Sequence, residues 1–200
     1  MILKSQKGRG SKIHLLLDDE YQITTDISFW NLNFLPDGYD ISEEEWIELT
    51  DKINYSKAFN KCADFLSRRN HSSKELKEKL LKTVDEKSAQ KAIEKFEELG
   101  YIDDEKFAQE YAEHLFKTKN YSPSHVRAEL SRKGISKDIA NAVLQSFEYD
   151  PRETIIKIIN KTYLRKLNDE NGKEKVTAAL MRKGFSYGDI KAAFYEIENE

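Results

Sequence analysis

The chain has 200 residues, 38% hydrophobic and 34% charged, with a formal net charge of -3 and one cysteine. That composition supports real cores, but no apolar run approaches the roughly 20 residues that a membrane-crossing helix needs, and a lone cysteine excludes an internal disulfide. The small net charge does not mark a nucleic-acid binder by bulk composition.

The front of the chain differs in kind from the rest: residues 1–50 hold four Lys/Arg against ten Asp/Glu. Its opening, "MILKSQKGRGSK", lacks the apolar stretch and small-residue cleavage site of a signal peptide, so the expectation is a cytosolic protein. "KIHLLLDDEYQITTD" predicts a β-hairpin: a strand over about 13–17, a polar turn at Asp18-Asp19-Glu20, and a returning strand over 21–24. Two strands are marginal alone, so they must lean on apolar neighbours such as Phe29, Trp30, Leu32, Phe34 and Leu35. Ser42 followed by Glu45 is a capping box, opening a short helix with Trp46, Ile47 and Leu49 on its apolar side. Residues 1–52 are therefore expected to form a small mixed module.

From about residue 55 the helical period dominates. Phe107, Tyr111 and Leu115 fall four apart, and Ile155, Ile158, Ile159 and Tyr163 form another stripe. Ser122-Pro123 and Asp150-Pro151 each place a capping residue before a first-turn proline. Ser72 with Glu75, and Asp150 with Glu153, read as further capping boxes. Gly100, Gly134 and Gly184 sit where helices would end. These cut points predict nine helices beyond the front module.

The chain also writes "AELSRKGIS" at 128–136 and "AALMRKGFS" at 178–186. A catalytic motif is normally needed once, whereas a stacked structural unit repeats its framework at a fixed period. Leu76, Val126 and Val176 align at fifty-residue steps, as do Leu80, Leu130 and Leu180. Each block has the same middle helix, preceded by a longer helix over about 55–69, 104–118 and 151–167. A third helix follows over about 86–98, 137–147 and 187–198. In that third helix Ile139, Ala142 and Val143 are matched to Ile190, Ala193 and Phe194 by allowing one added residue at Tyr187-Gly188. The fold class expected is mainly α: three tandem three-helix repeats, at 53–102, 103–149 and 150–200, in an elongated curved array behind the front module.

No phosphate-cradling glycine loop, HExxH or G-x-S-x-G is present. His14, His71, His114 and His125 are scattered without ligand spacing, and Asp103-Asp104-Glu105 reads as a helix start. Cys62 reads as a packing residue. The expectation is a non-enzyme, with no catalytic residue, cofactor or metal. The basic residues carry the site hypothesis. Arg132-Lys133 and Arg182-Lys183 occupy the same place in two blocks, with Lys82 at the corresponding point of the first and Arg68-Arg69 ending its first helix. Cations in a last turn meet the negative end of the helix dipole, which is a sufficient structural reason for them. The functional alternative is that the corners, with Arg127, Arg165 and Lys166, engage phosphates or an acidic partner, and that Tyr121, Tyr163 and Tyr187 add stacking.

"FLSRRNHSSKELKEKLL", "AIEKFEELGYIDDEKFAQEYAEHLF" and "SPSHVRAELSRKGIS", in that order, resemble the RecX family, bacterial modulators of the RecA recombinase. The resemblance covers about residues 55–198, and the front hairpin with "ISEEEWIEL" is similar to the extension of longer members; it is loosest in "KTYLRKLNDENGKEK". It implies tandem three-helix repeats, and as partners RecA protein and the RecA-DNA filament, whose ATPase and strand exchange in recombination and DNA repair would be restrained. It fixes no contact residue. A monomer is expected, and the alternative function is direct, weak DNA binding through the helix–turn–helix corners.

Overall fold

The front of the chain is more sheet than the pattern predicts. In the computed structural model, which describes residues 1–199, four antiparallel strands run in the order β3-β2-β1-β4. They are β1 (Ile2–Lys7), β2 (Lys12–Leu17), β3 (Glu20–Asp26) and β4 (Tyr39–Asp40). The expected hairpin is the β2–β3 pair, and Asp18 and Asp19 both take positive φ, 50° and 69°, as a two-residue hairpin turn matched to strand twist requires. β1 escaped the pattern because "ILKSQK" buries only Leu3. Its pairing sets Leu3 opposite Leu17 and Ser5 opposite Leu15. The inward face is thus Leu3, Ile13, Leu15 and Leu17. Trp30 of the short helix α1 (Ile27–Leu32) closes over that core.

The short helix expected at Ser42 and the long one expected from residue 55 are a single element, α2 (Glu43–Leu66). Nothing between them breaks a helix, since "ELTDKINYSKAF" has neither glycine nor proline. The capping box is complete: Ser42 Oγ accepts the Glu45 N–H at 3.1 Å, and the Glu45 carboxylate accepts the Ser42 N–H at 2.9 Å. The first half of α2 gives Leu49 and Ile53 to the sheet core, and its second half gives Ala58 and Cys62 to the core of the first repeat. The junction expected at 52/53 therefore lies inside a helix that ties the two cores together.

The first repeat is completed by α3 (Ser73–Leu80) and α4 (Glu86–Glu98) around Leu76, Leu80, Ala89, Ile93 and Phe96. Met1–Ile102 forms one compact unit, and the chain from Asp103 onward forms a second.

The second unit holds two repeats. The first of them comprises α5 (Asp104–His114), α6 (Pro123–Arg132) and α7 (Lys137–Gln145). The other comprises α8 (Pro151–Ile158), α9 (Gly172–Arg182) and α10 (Tyr187–Asn199). Ten α-helices are present among the described residues: α1 adds one to the nine expected after the front module. The long first helices also do not stay α-helical. Leu115–Lys119 and Ile159–Tyr163 widen into a π turn, and Leu164–Asn168 tightens into a 3₁₀ turn. Asp150 accepts the N–H groups of Arg152 and Glu153, but the Glu153 carboxylate does not return the bond, so the capping box expected there is half formed.

The fifty-residue register persists without the added residue expected at Tyr187-Gly188. Ser136 and Ser186 cap α7 and α10, and the residues four and seven beyond each cap are buried: Ala140 and Val143, Ile190 and Ala193. Ala142, assigned inward from the sequence, is exposed. The first repeat follows the same rule from Asp85, with Ala89 and Ala92, after a corner one residue shorter.

Candidate functional site

Each corner is built from a helix C-terminus, a tight turn and a capping residue. At α6 the Gly134 N–H bonds the Ser131 carbonyl at 3.0 Å and the Ile135 N–H bonds that of Leu130 at 3.1 Å. At α9 Gly184 and Phe185 repeat this toward Met181 and Leu180. This pairing satisfies the last carbonyls and requires a left-handed residue, which glycine supplies at φ 85° and 86°. The first repeat lacks the glycine because Val84 bonds back to Leu80 after one residue fewer.

The ten basic residues fall into three groups. Some are engaged by neighbouring carboxylates. Arg68 holds both Asp64 oxygens at 2.9 Å, Arg69 meets Glu75 at 3.1 Å, and Arg132 contacts Glu129. Exposed pairs of this kind are worth only about 0–1 kcal/mol, so an incoming anion can displace them. Others lie on aromatic rings: Lys133 over Tyr111 at 5.5 Å, Lys166 over Tyr163 at 5.6 Å and Lys183 over Tyr121 at 5.1 Å. The remaining four, Lys82, Arg127, Arg165 and Arg182, are exposed and have no ion pair among the described residues.

Lys183 differs from the rest in what it does. Its ammonium donates to the Lys119 carbonyl at 2.7 Å, its own carbonyl accepts the Ser122 N–H at 3.1 Å, and Ser124 Oγ donates to the Gly184 carbonyl at 3.0 Å. Desolvation pulls the Lys183 ammonium below the ordinary lysine value, and Lys119 adds to that. The third-repeat corner is thereby clamped onto the start of α6. Lys183 sits at the N-terminal end of α6 and Lys133 caps its C-terminal end, so the two corners are separated by one ten-residue helix, about 15 Å.

The sequence named Lys183 and Tyr121 but not the groups that hold them. Lys119 and Ser124 act through a backbone carbonyl and a short hydroxyl, and neither leaves a pattern. Of the three tyrosines, Tyr121 and Tyr163 lie under cations, while Tyr187 is exposed with none over its ring among the described residues. Among the histidines, His71 is buried between the Arg69 carbonyl at Nδ1, 3.0 Å, and the Lys79 ammonium at Nε2, 3.1 Å. Nδ1 therefore carries the proton and Nε2 accepts from Lys79. Burial lowers the His71 pKa, and the Arg69 and Lys79 charges act in the same direction. Among the described residues no three His, Cys, Asp or Glu side chains gather as a metal site.

Against known proteins, three family models match in tandem: RecX first three-helix domain at residues 58–96, second at 103–144 and third at 148–194. "Regulatory protein RecX" of Bacillus subtilis (strain 168) is 30% identical over 202 residues, covering 99% of this chain and 76% of that protein. The namesake from Caldanaerobacter subterraneus subsp. tengcongensis is 28% identical and is covered to 95%, against 96% of this chain. Among solved structures, "Crystal structure of regulatory protein RecX" matches with a TM-score of 0.64 at 23% identity, covering 99% of this chain and 97% of that one, a likeness of fold. "Crystal structure of RecX from Lactobacillus salivarius" matches with 0.61 at 27%, covering 74% and 98%. Three helical domains in the family's order, with a relative matched across sheet and repeats alike, place this chain in the RecX family of regulatory proteins.

Proposed function

We propose that the chain is a non-enzymatic regulator that binds RecA and RecA-DNA filaments in the cytoplasm and inhibits their ATPase and strand exchange. The observation that carries this reading is the match along 99% of the chain to a protein named as a regulatory RecX, since the family resemblance implies that partner. We take the sheet module and the three repeats as its working parts, with their first junction carried inside α2. The contact residues we assign are the exposed cations of the repeats, above all Arg127 on α6 and Arg182 at the end of α9, with Lys82 and Arg165. Lys133 and Lys183 are held against Tyr111 and Tyr121 and serve the packing first.

The test is co-sedimentation with RecA filaments of the wild type and of a variant with Lys82, Arg127, Arg165 and Arg182 changed to Glu. The expected result is loss of binding with an unchanged helical spectrum; undiminished binding removes these cations from the site. Direct DNA binding is the second reading, favoured by the pair of basic corners flanking α6. It requires tight binding to bare DNA that falls steeply with added salt.

A further inference from the structure

Many lysines of the first unit are neutralised where they stand: Lys4 by Asp19, Lys52 by Glu48, Lys77 by Glu86, Lys95 by Glu98. Lys12, Lys57 and Lys61 have no ion pair among the described residues, and all three line one cleft of about 290 Å³ between the sheet and the first repeat. The fold brings them together from separate places. Lys57 and Lys61 are one turn apart on α2, where like charges repel. Lys12 opens β2, cross-strand from Asp26. Thr83 reaches the same cleft from the turn between α3 and α4.

A second observation concerns Thr25. It is only 4% exposed and lines the cleft, yet its hydroxyl makes no hydrogen bond among the described residues. It is not a sealed atom either, since the Tyr149 hydroxyl alone has that status among them. The Thr25 hydroxyl is therefore not fully sealed, belongs to a residue that lines the cleft, and has its hydrogen-bonding capacity unspent. One carboxylate, Asp26, faces three ammonium groups, and Asp26 already accepts the Ser11 hydroxyl at 3.3 Å.

We propose that this cleft binds a phosphate-type oxyanion, with Lys12, Lys57 and Lys61 supplying the charge and Thr25 a hydroxyl donor. Charge-assisted donors of this kind are the strong ones for phosphate oxygens. The volume lies at the small end of ligand pockets, which run from about 300 Å³, and so suits a phosphoryl group with little attached. Burial lowers the Lys57 pKa against the opposing pull of Asp26, with Lys61 adding to the lowering, and a bound anion would offset that cost.

The test is an NMR titration of the full ¹⁵N-labelled chain with pyrophosphate at constant ionic strength. Saturable shifts at the Thr25 and Thr83 amides are expected, with affinity falling about tenfold or more in Lys57→Gln/Lys61→Gln and unchanged in Lys87→Gln, whose lysine is paired with Asp51. Absence of saturable shifts at Thr25, or equal affinity in the double variant, would overturn the proposal. Should the double variant fail to fold, Lys12→Gln on the sheet carries the same expectation and the same refutation. An oligothymidylate that displaces pyrophosphate assigns the phosphate to a nucleic-acid backbone; one that does not assigns it to a small phosphate compound.

Discussion

Replacing Gly184 with alanine tests how the second and third repeats are joined. Two costs can be separated. The first is conformational: Gly184 has φ +86°, and a residue with a Cβ pays about 1–2 kcal/mol to stay left-handed. The second is steric, because the new Cβ would overlap Ser122 Oγ and come within 3.0 Å of His125 Cβ and Ser124 Oγ. Ser122 Oγ cannot turn away freely, since it accepts the His125 N–H as the cap of α6 and bonds Ser124 Oγ at 2.8 Å. Losing that cap costs about 1 kcal/mol, and the Ser124 to Gly184 bond about 1 more. The expected loss for Gly184→Ala is thus about 3–4 kcal/mol. Gly100→Ala is the control, because φ is +72° there with nothing within 4 Å of the new Cβ, so only the first cost of about 1–2 kcal/mol applies. Urea unfolding separates the two, as both tryptophans, Trp30 and Trp46, lie in the first unit while far-UV circular dichroism follows both units. Gly184→Ala should displace the dichroism transition more than the fluorescence transition. Equal losses for the two alanines would refute the clamp.

The same corner predicts that Lys183→Ala loses about 1–2 kcal/mol, from its bond to the Lys119 carbonyl and its place over Tyr121, whereas Arg182→Ala stays within about 0.5 kcal/mol; equal urea midpoints for the two would contradict it. His71 gives a pH dependence. Its folded pKa lies below 6.5, so the unfolded chain binds more protons between the two values and stability is lost as pH falls from 6.5 toward the folded value. Between about pH 7.5 and 5.5 the wild type should lose more stability than His71→Asn, by at most about 1.4 kcal/mol per pH unit; parallel profiles would show that His71 is not the group responsible. Cys62 is fully buried, with its thiol pushed up to about 11 by burial. It should resist a thiol reagent in the native chain and react at once in urea, and rapid native labelling would contradict its packing.

The repeats were legible because a corner needs glycine, an apolar anchor and a capping serine in fixed order, and Leu130-Gly134-Ser136 and Leu180-Gly184-Ser186 spell that order twice. The first corner hid part of itself by dropping a residue and capping with Asp85. The sheet was half legible. β2 and β3 alternate cleanly, but β1 buries one residue and β4 is two residues long, so only their pairing reveals them: β1 with β2 from Leu3 opposite Leu17, and β4 with β1 from Ile2 opposite Asp40. The continuity of α2 could have been read from its missing glycine and proline; the change of apolar face between Ile53 and Ala58 masked it, since each half serves a different core. At the candidate site, sequence fixes which cations share a repeat position but not what each touches. Lys183 and Arg182 are adjacent in the chain, yet one is clamped to the neighbouring repeat and the other stands exposed, a distinction set by Lys119 and Tyr121 some sixty residues away.

The most direct test of the central claim is the ATPase rate of RecA on single-stranded DNA as the full chain is titrated in, alongside its binding to the same DNA without RecA. Filament-directed regulation predicts inhibition at concentrations well below that of RecA, where binding to bare DNA is too weak to coat the strand. An unchanged ATPase rate beside tight, salt-sensitive DNA binding would contradict it and leave nucleic acid as the partner.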